Sequence, residues 1–280
     1  MMTRIAQAVE GIGHSFDRTA ILDEDCLHTY DLLAEGVELL AEELVAAGLR
    51  GGDRVAVYIH FGYAGLLAAL AVNYAGAVAI PLDIRETCAV TERKLRVAGA
   101  HWVLGHVTDD HIVEEIAGRE DPLTVSVAEA YTLIGLPSAA ARSGAGFAFC
   151  TPEGFACRAV DTEVLADTAR TVARQWDIDA DDTVALGPDL GEFEAFLAAS
   201  AALVSGATLC LAEAGEQWDS ASVLVQAERG SDTPPPGDRP VVARLGRVPA
   251  RESAGYEVRE SRLPARPQRF ADTPQIRRCG

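Results

Sequence analysis

The stretch GAGFAFCTPEGFACRAV, residues 144–160, decides how the chain is read. Its apolar run over 146–150 has the composition of a buried strand, and Pro152 and Gly154 mark a turn. The amphipathic segment 162–176 then reads as a helix. Strand, tight turn and helix is the order in which α/β proteins present backbone N–H groups to a phosphate. The turn has that position with little of that chemistry. It holds one glycine, a proline with no N–H to donate, the acid Glu153 and the bulky Phe155.

Outward from this stretch, strands and helices alternate. Residues 18–28 read as a hairpin around a DED turn, and Thr29 can cap the helix that follows. In that helix Leu32, Leu33, Val37, Leu40, Leu44 and Val45 recur at helical spacing until Gly48 stops it. Gly51-Gly52-Asp53 is a turn before a strand at 54–59. A mostly apolar helix at 61–75 and a strand at 77–82 come next. Helix 89–99, strand 102–104, helix 108–117 and a short strand at 123–127 continue the alternation. Beyond the opening stretch, strand 183–186, helix 192–205, strand 207–211 and a last helix at 219–229 are expected.

Repeated strand–helix–strand units with apolar strands imply an α/β fold. Its sheets should be mainly parallel and covered by helices on both faces. After Gly230 the text turns to Pro, Gly and Arg without a sustained period. This divides the chain into an α/β domain at 1–230 and an irregular, mostly disordered tail at 231–280.

Charge follows the same division. Residues 1–230 carry 14 basic and 36 acidic side chains, net −22, and residues 231–280 carry 10 and 6, net +4. The acidic total argues against nucleic acid and anionic membrane surfaces as partners. No apolar run approaches the ~20 residues of a membrane span, and the N-terminus lacks an export signal, so a cytoplasmic protein is expected. The six cysteines show no CxxC pattern and read as reduced thiols. The single lysine, Lys94, stands against 23 arginines.

Three segments together resemble the N-terminal part of the AMP-forming adenylating enzymes. That family includes nonribosomal peptide synthetase adenylation domains, acyl-CoA ligases and luciferases. Residues 19–59 are similar to its opening hairpin, its TY-x-x-L helix and its GDRVA strand. Residues 66–83, LLAALAVNYAGAVAIPLD, are similar to its next helix–strand pair, and residues 197–212, LAASAALVSGATLCLA, to a later one. The resemblance covers roughly residues 15–230 and implies a truncated N-terminal adenylation core.

The departures fall where the family does its chemistry. The resemblance places its phosphate loop, approximately YTSGTTGxPKG, over residues 149–159. There Thr151 stands for a serine and Arg158 for a lysine, and with Gly154 they form the candidate phosphate-binding set. Beside a triphosphate, Glu153 would be repulsive by roughly 1–4 kcal/mol at about 4 Å. Losing one preorganised donor from a transition-state site typically costs ~3 kcal/mol. The family's later motifs for adenine, magnesium and ribose have no counterpart after residue 212. Lys94, in the helix after the second parallel strand, does not match its mobile lysine.

No catalytic residue and no metal site are therefore expected, and no cofactor, although the family uses ATP and magnesium. His101, His106 and His111 lie near several carboxylates, but their spacing does not put them on one helical face. Asp177, Asp179, Asp181 and Asp182 read as a solvated turn. The leading expectation is a degenerate adenylation-like protein without ligase activity. It would act as a scaffold or docking partner for a synthetase, carrier protein or tailoring enzyme, or as a homo-oligomer. The alternative is a remnant enzyme that binds a carboxylic acid or acyl-adenylate and runs another reaction. A third reading takes the basic tail as out-of-frame sequence.

Overall fold

The computed structural model describes residues 17–23, 26–106, 123–138, 140–142, 144–187, 190–211, 221–227 and 241–245. The chain divides into two units, one built on Asp31–Ala166 and the other on Ile12–Tyr30 with Asp167–Gly280.

In chain order, β1 (Thr19–Asp23) and β2 (Cys26–Thr29) form the expected antiparallel hairpin before α1 (Tyr30–Ala46). Next come β3 (Arg54–Tyr58), α2 (Tyr63–Tyr74), β4 (Val78–Leu82), α3 (Cys88–Ala98) and β5 (Trp102–His106). β6 (Thr124–Val127), β7 (Tyr131–Gly135), β8 (Gly146–Cys150), β9 (Cys157–Asp161) and α4 (Thr162–Gln175) follow. The chain continues through β10 (Thr183–Leu186), α5 (Glu192–Ser205), β11 (Thr208–Cys210), β12 (Val223–Ala227) and β13 (Val241–Leu245).

The first unit holds a seven-stranded sheet of order β6-β7-β5-β3-β4-β8-β9. Its centre, β5-β3-β4-β8, is parallel, and both edges are finished by antiparallel pairs. Every residue of β4 and all but Arg54 of β3 are buried. That is why these strands read as continuous apolar runs rather than alternating ones. α2 is buried continuously from Gly65 to Asn73, so its apolar residues run all round it. The second unit holds a six-stranded sheet of order β13-β12-β10-β11-β1-β2, parallel except for the β1–β2 pair. Tyr30 joins this unit through its hydroxyl, which donates to Ala207 O at 2.7 Å and Leu203 O at 3.3 Å. Burial pushes that phenol well above the usual tyrosine range.

Several expectations change. β7 and β9 were not anticipated. β9 (CRAVD) is largely exposed, so it carries no apolar alternation, and its pairing with β8 defines it as a strand. Residues 219–229, expected as a helix, contain β12, where Val223, Leu224 and Val225 are all buried as in an interior parallel strand. Val241–Leu245, within the segment expected to be irregular, pairs parallel with β12 as β13. The helix expected at 108–117 lies outside the described residues. Cys88, Cys150, Cys157 and Cys210 are thiols, as expected, whereas Cys26 is disulfide-bonded. No helix among the described residues is long and apolar enough to cross a membrane.

The first unit also buries a carboxylate that the sequence marked only as part of a turn. Asp53, 1% exposed, accepts hydrogen bonds from Arg50 N, from Trp102 Nε1 at 3.1 Å and from Arg142 Nε at 2.5 Å. Burial alone would raise its pKa. The Arg142, Arg50 and Trp102 donors outweigh that and hold the carboxyl below the usual carboxylate value. A lowered folded value means that the stabilisation is fully present above about pH 4, the unfolded value, and is lost as pH falls through the folded one. Urea midpoints measured from pH 6 down to 2 should therefore fall less steeply below pH 4 in Asp53→Asn than in the wild type. Equal slopes would remove Asp53 from the acid response.

Candidate functional site

The structure places the opening stretch in a β-hairpin, not a strand–turn–helix unit. β8 and β9 pair from Gly146↔Asp161 to Cys150↔Cys157, and residues 151–156 form the turn. α4 starts only after β9, with Asp161 Oδ1 accepting from Glu163 N at 2.8 Å. The helix N-terminus is thus separated from the turn by a whole strand, and it cannot lend its free N–H groups to a phosphate held there.

Within the turn the N–H groups of Thr151, Gly154, Phe155 and Ala156 are already engaged. Thr151 N donates to Ala156 O at 2.9 Å, and Gly154 N donates to Thr151 O at 2.8 Å. Phe155 N and Ala156 N both donate to Thr151 Oγ1, at 3.1 and 3.3 Å. Pro152 has no N–H. Of the three residues the sequence singled out, Thr151 therefore serves as an internal cap. Its hydroxyl satisfies two backbone groups that a phosphate loop would leave pointing outward.

Gly154 has a backbone reason for being glycine. Its φ is +71°, in the left-handed region, and a Cβ there would meet Lys94 Cγ at 3.1 Å and Lys94 N at 3.3 Å. Arg158 is exposed on β9, in register with Phe149, and so lies outside the turn that holds the other two. The hairpin brings Thr151 and Gly154 together, and the shared strand end leaves Arg158 on the solvent side.

α3 supplies what the sequence did not place here. Arg93 Nη1 donates to Glu153 O at 2.7 Å, and its guanidinium lies 4.8 Å from the centroid of the Phe155 ring. Phe155 is itself 72% exposed. Lys94, the chain's one lysine, is 1% exposed, with Nζ 2.7 Å from Glu86 Oε1. It is held in an ion pair beneath the turn. These roles depend on α3 packing beside the hairpin, which no local motif announces.

The other clusters resolve as structural. Arg54 N donates to His101 Nδ1 at 2.9 Å, which leaves Nε2 to donate to Ala140 O at 2.9 Å. The ring is therefore a neutral bridge between two backbone groups. His106 stands edge-on to Tyr131 at 5.4 Å, and His111 lies outside the described residues. The carboxylates of Asp179 and Asp182 accept backbone N–H groups of their own turn. Among the described residues no group of three His, Cys, Asp or Glu side chains is arranged to hold a metal ion.

For a triphosphate the residues present do not fit. Four of the turn's amides are taken by acceptors inside the turn, its acidic residue is Glu153, and the lysine under it is buried and paired.

Against known proteins, residues 11–145 match the model of the AMP-binding enzyme family. The 3-[(3aS,4S,7aS)-7a-methyl-1,5-dioxo-octahydro-1H-inden-4-yl]propanoyl:CoA ligase of Mycobacterium tuberculosis is 36% identical over 84 residues, covering 30% of this chain and 17% of that protein. A hybrid PKS-NRPS synthetase of Talaromyces variabilis is 30% identical over 107 residues, covering 38% of this chain and 3% of that one. In structure, apo MatB from Rhodopseudomonas palustris superposes with a TM-score of 0.64 at 19% identity, over 80% of this chain and 49% of that one. The chain thus spans about half the length of this solved protein, and the likeness establishes the fold.

Proposed function

We propose that this chain, whose residues 11–145 match the AMP-binding enzyme family, keeps that family's sheet scaffold without running ATP-dependent ligation. One observation carries the proposal. The turn that should grip the phosphates is closed on itself, with Thr151 Oγ1 taking the N–H groups of Phe155 and Ala156. A transition state stabilised by preorganised donors needs those donors unengaged and aimed at the developing charge. Opening the turn to expose them would break hydrogen bonds worth about 1 kcal/mol each before any phosphate was bound.

In place of ligation, the protein serves as a docking partner or scaffold within a biosynthetic assembly of the kind its synthetase relatives form, or associates with itself. Phe155, exposed at the hairpin tip beneath Arg93, is the sort of aromatic group that a protein surface covers. Leu32 and Leu39 of α1, seven residues apart and both exposed, give a second apolar face.

The test is pyrophosphate exchange with ATP, magnesium and a panel of carboxylic and amino acids, run with light scattering of the same sample. The expected result is exchange at the no-enzyme background together with a mass above that of one chain or a co-purifying protein. Robust exchange with any acid would end the non-ligase reading, and a clean monomer at micromolar concentration would end the self-association reading.

A further inference from the structure

The hairpin that fails as a phosphate loop holds a pair of thiols whose placement the proposed function does not use. Cys150 ends β8 and Cys157 begins β9, and the two are direct cross-strand partners. The hydrogen bonds fix which kind of partner. Thr151 N donates to Ala156 O, so the 151/156 position is a hydrogen-bonded one. Antiparallel pairs alternate, so Cys150 and Cys157 face each other at a non-hydrogen-bonded position. There Cα atoms lie about 4.5 Å apart, the near end of the roughly 4.4–6.8 Å that disulfides span.

Both side chains also leave the hairpin on the same face. Cys150 and Cys157 pack against one apolar cluster that includes Leu82, Leu95 and Ala148. Each is partly exposed, and both are thiols in this structure. A cross-strand pair on one face, open to solvent at a strand end, is placed to react within itself before either sulfur can reach another.

We propose that Cys150 and Cys157 form a reversible redox site, closing to a cross-strand disulfide when a peroxide is the oxidant. One thiol gives up its proton and the thiolate attacks a peroxide oxygen; the O–O bond breaks, the leaving hydroxide takes up that proton as water, and a sulfenic acid remains. The second thiol attacks that sulfur, its proton leaves with the hydroxyl as a second water, and the S–S bond forms. Two thiols and one hydrogen peroxide thus give one disulfide and two waters. Reduction by an external dithiol reverses it through a mixed disulfide. The closed ring ties residues 151–156 across their base and so fixes the turn that carries Phe155 and Gly154.

The sequence makes the measurement direct. No Lys or Arg lies between Arg142 and Arg158, so trypsin leaves both sulfurs in one peptide, residues 143–158, and cleavage after Glu153 separates them. The full-length protein is treated with hydrogen peroxide, alkylated and digested. The expected peptide has lost two hydrogens, resists alkylation until dithiothreitol is added, and leaves joined halves after cleavage at Glu153. Cys150→Ser and Cys157→Ser should each abolish that species. Cys88, exposed at the first residue of α3, reports oxidant access in the same sample. The proposal is overturned if both thiols of peptide 143–158 alkylate unchanged while Cys88 is oxidised. It is equally overturned if either sulfur pairs with Cys88 or Cys210, or if one is driven to sulfinic acid while the other stays a thiol. The wild-type measurement decides the matter even where a serine variant fails to fold.

Discussion

Lys94→Ala is expected to destabilise the protein by about 3 kcal/mol, the low end of what breaking a buried ion pair costs. The ammonium is 1% exposed and 2.7 Å from Glu86 Oε1, and the Glu86 side chain is itself only 20% exposed. Glu86 Oε2 is buried and accepts no hydrogen bond among the described residues, so the carboxylate depends heavily on this contact. The same ammonium lies close enough to Asp83 to help lower that carboxyl, after burial and Arg85 have acted on it. Removing it leaves the mostly buried Glu86 carboxylate without its counter-charge. The partial exposure of Glu86 lets it turn toward water, which keeps the loss near the low end. A packing loss is added, because the Lys94 stem lies under Gly154. Urea denaturation reads the total. Lys94→Met with Glu86→Gln should recover most of it, since the pair then leaves no charge unbalanced while filling the same space. If the double variant were as unstable as Lys94→Ala, neither the unbalanced charge nor the lost packing would account for the loss. If Lys94→Ala were neutral, the reading of Lys94 as a structural cation would fail, and with it one ground for excluding a mobile catalytic lysine.

How much of this could be read in advance depends on the kind of interaction. The central strands announced themselves because parallel strands buried on both faces need unbroken apolar runs, as in residues 78–82. The α1 helix was legible from its spacing and from the glycine that ends it. β9 was not, because an exposed edge strand is specified by the partner it pairs with rather than by its own composition. Missing it turned a hairpin into a strand–turn–helix and attached a helix N-terminus to a turn that has none. A turn poor in phosphate-binding groups was legible from Pro152, Glu153 and Phe155 alone. Its physical form, a threonine hydroxyl occupying two amides, was not, since which N–H groups Thr151 takes is set by the folded turn. The roles of Arg93 and Lys94 were hidden for a simpler reason. Contacts across about 60 residues of sequence, such as Arg93 to Glu153, leave no periodic trace in either partner.

Asn73→Leu should cost about 2–4 kcal/mol, because one buried amide secures two elements at once. Asn73, 1% exposed on α2, donates from Nδ2 to Gly146 O at 3.1 Å and to Thr162 Oγ1 at 2.8 Å. The first bond holds the start of β8, and the second holds the start of α4, where Thr162 is 5% exposed. Leucine is similar in size, so little cavity forms. The loss comes from a carbonyl and a hydroxyl left in an apolar setting without that donor. The mechanism predicts a specific coupling. Thr162→Val alone should destabilise by about 1 kcal/mol, yet in the Asn73→Leu background it should be neutral or favourable, because the stranded hydroxyl is then removed. A double-mutant cycle by urea denaturation measures that coupling, which pairs in contact show at roughly 0.5–3 kcal/mol. Additive losses would mean that Asn73 and Thr162 act separately. The hairpin base would then be held by the β4–β8 pairing rather than by this amide.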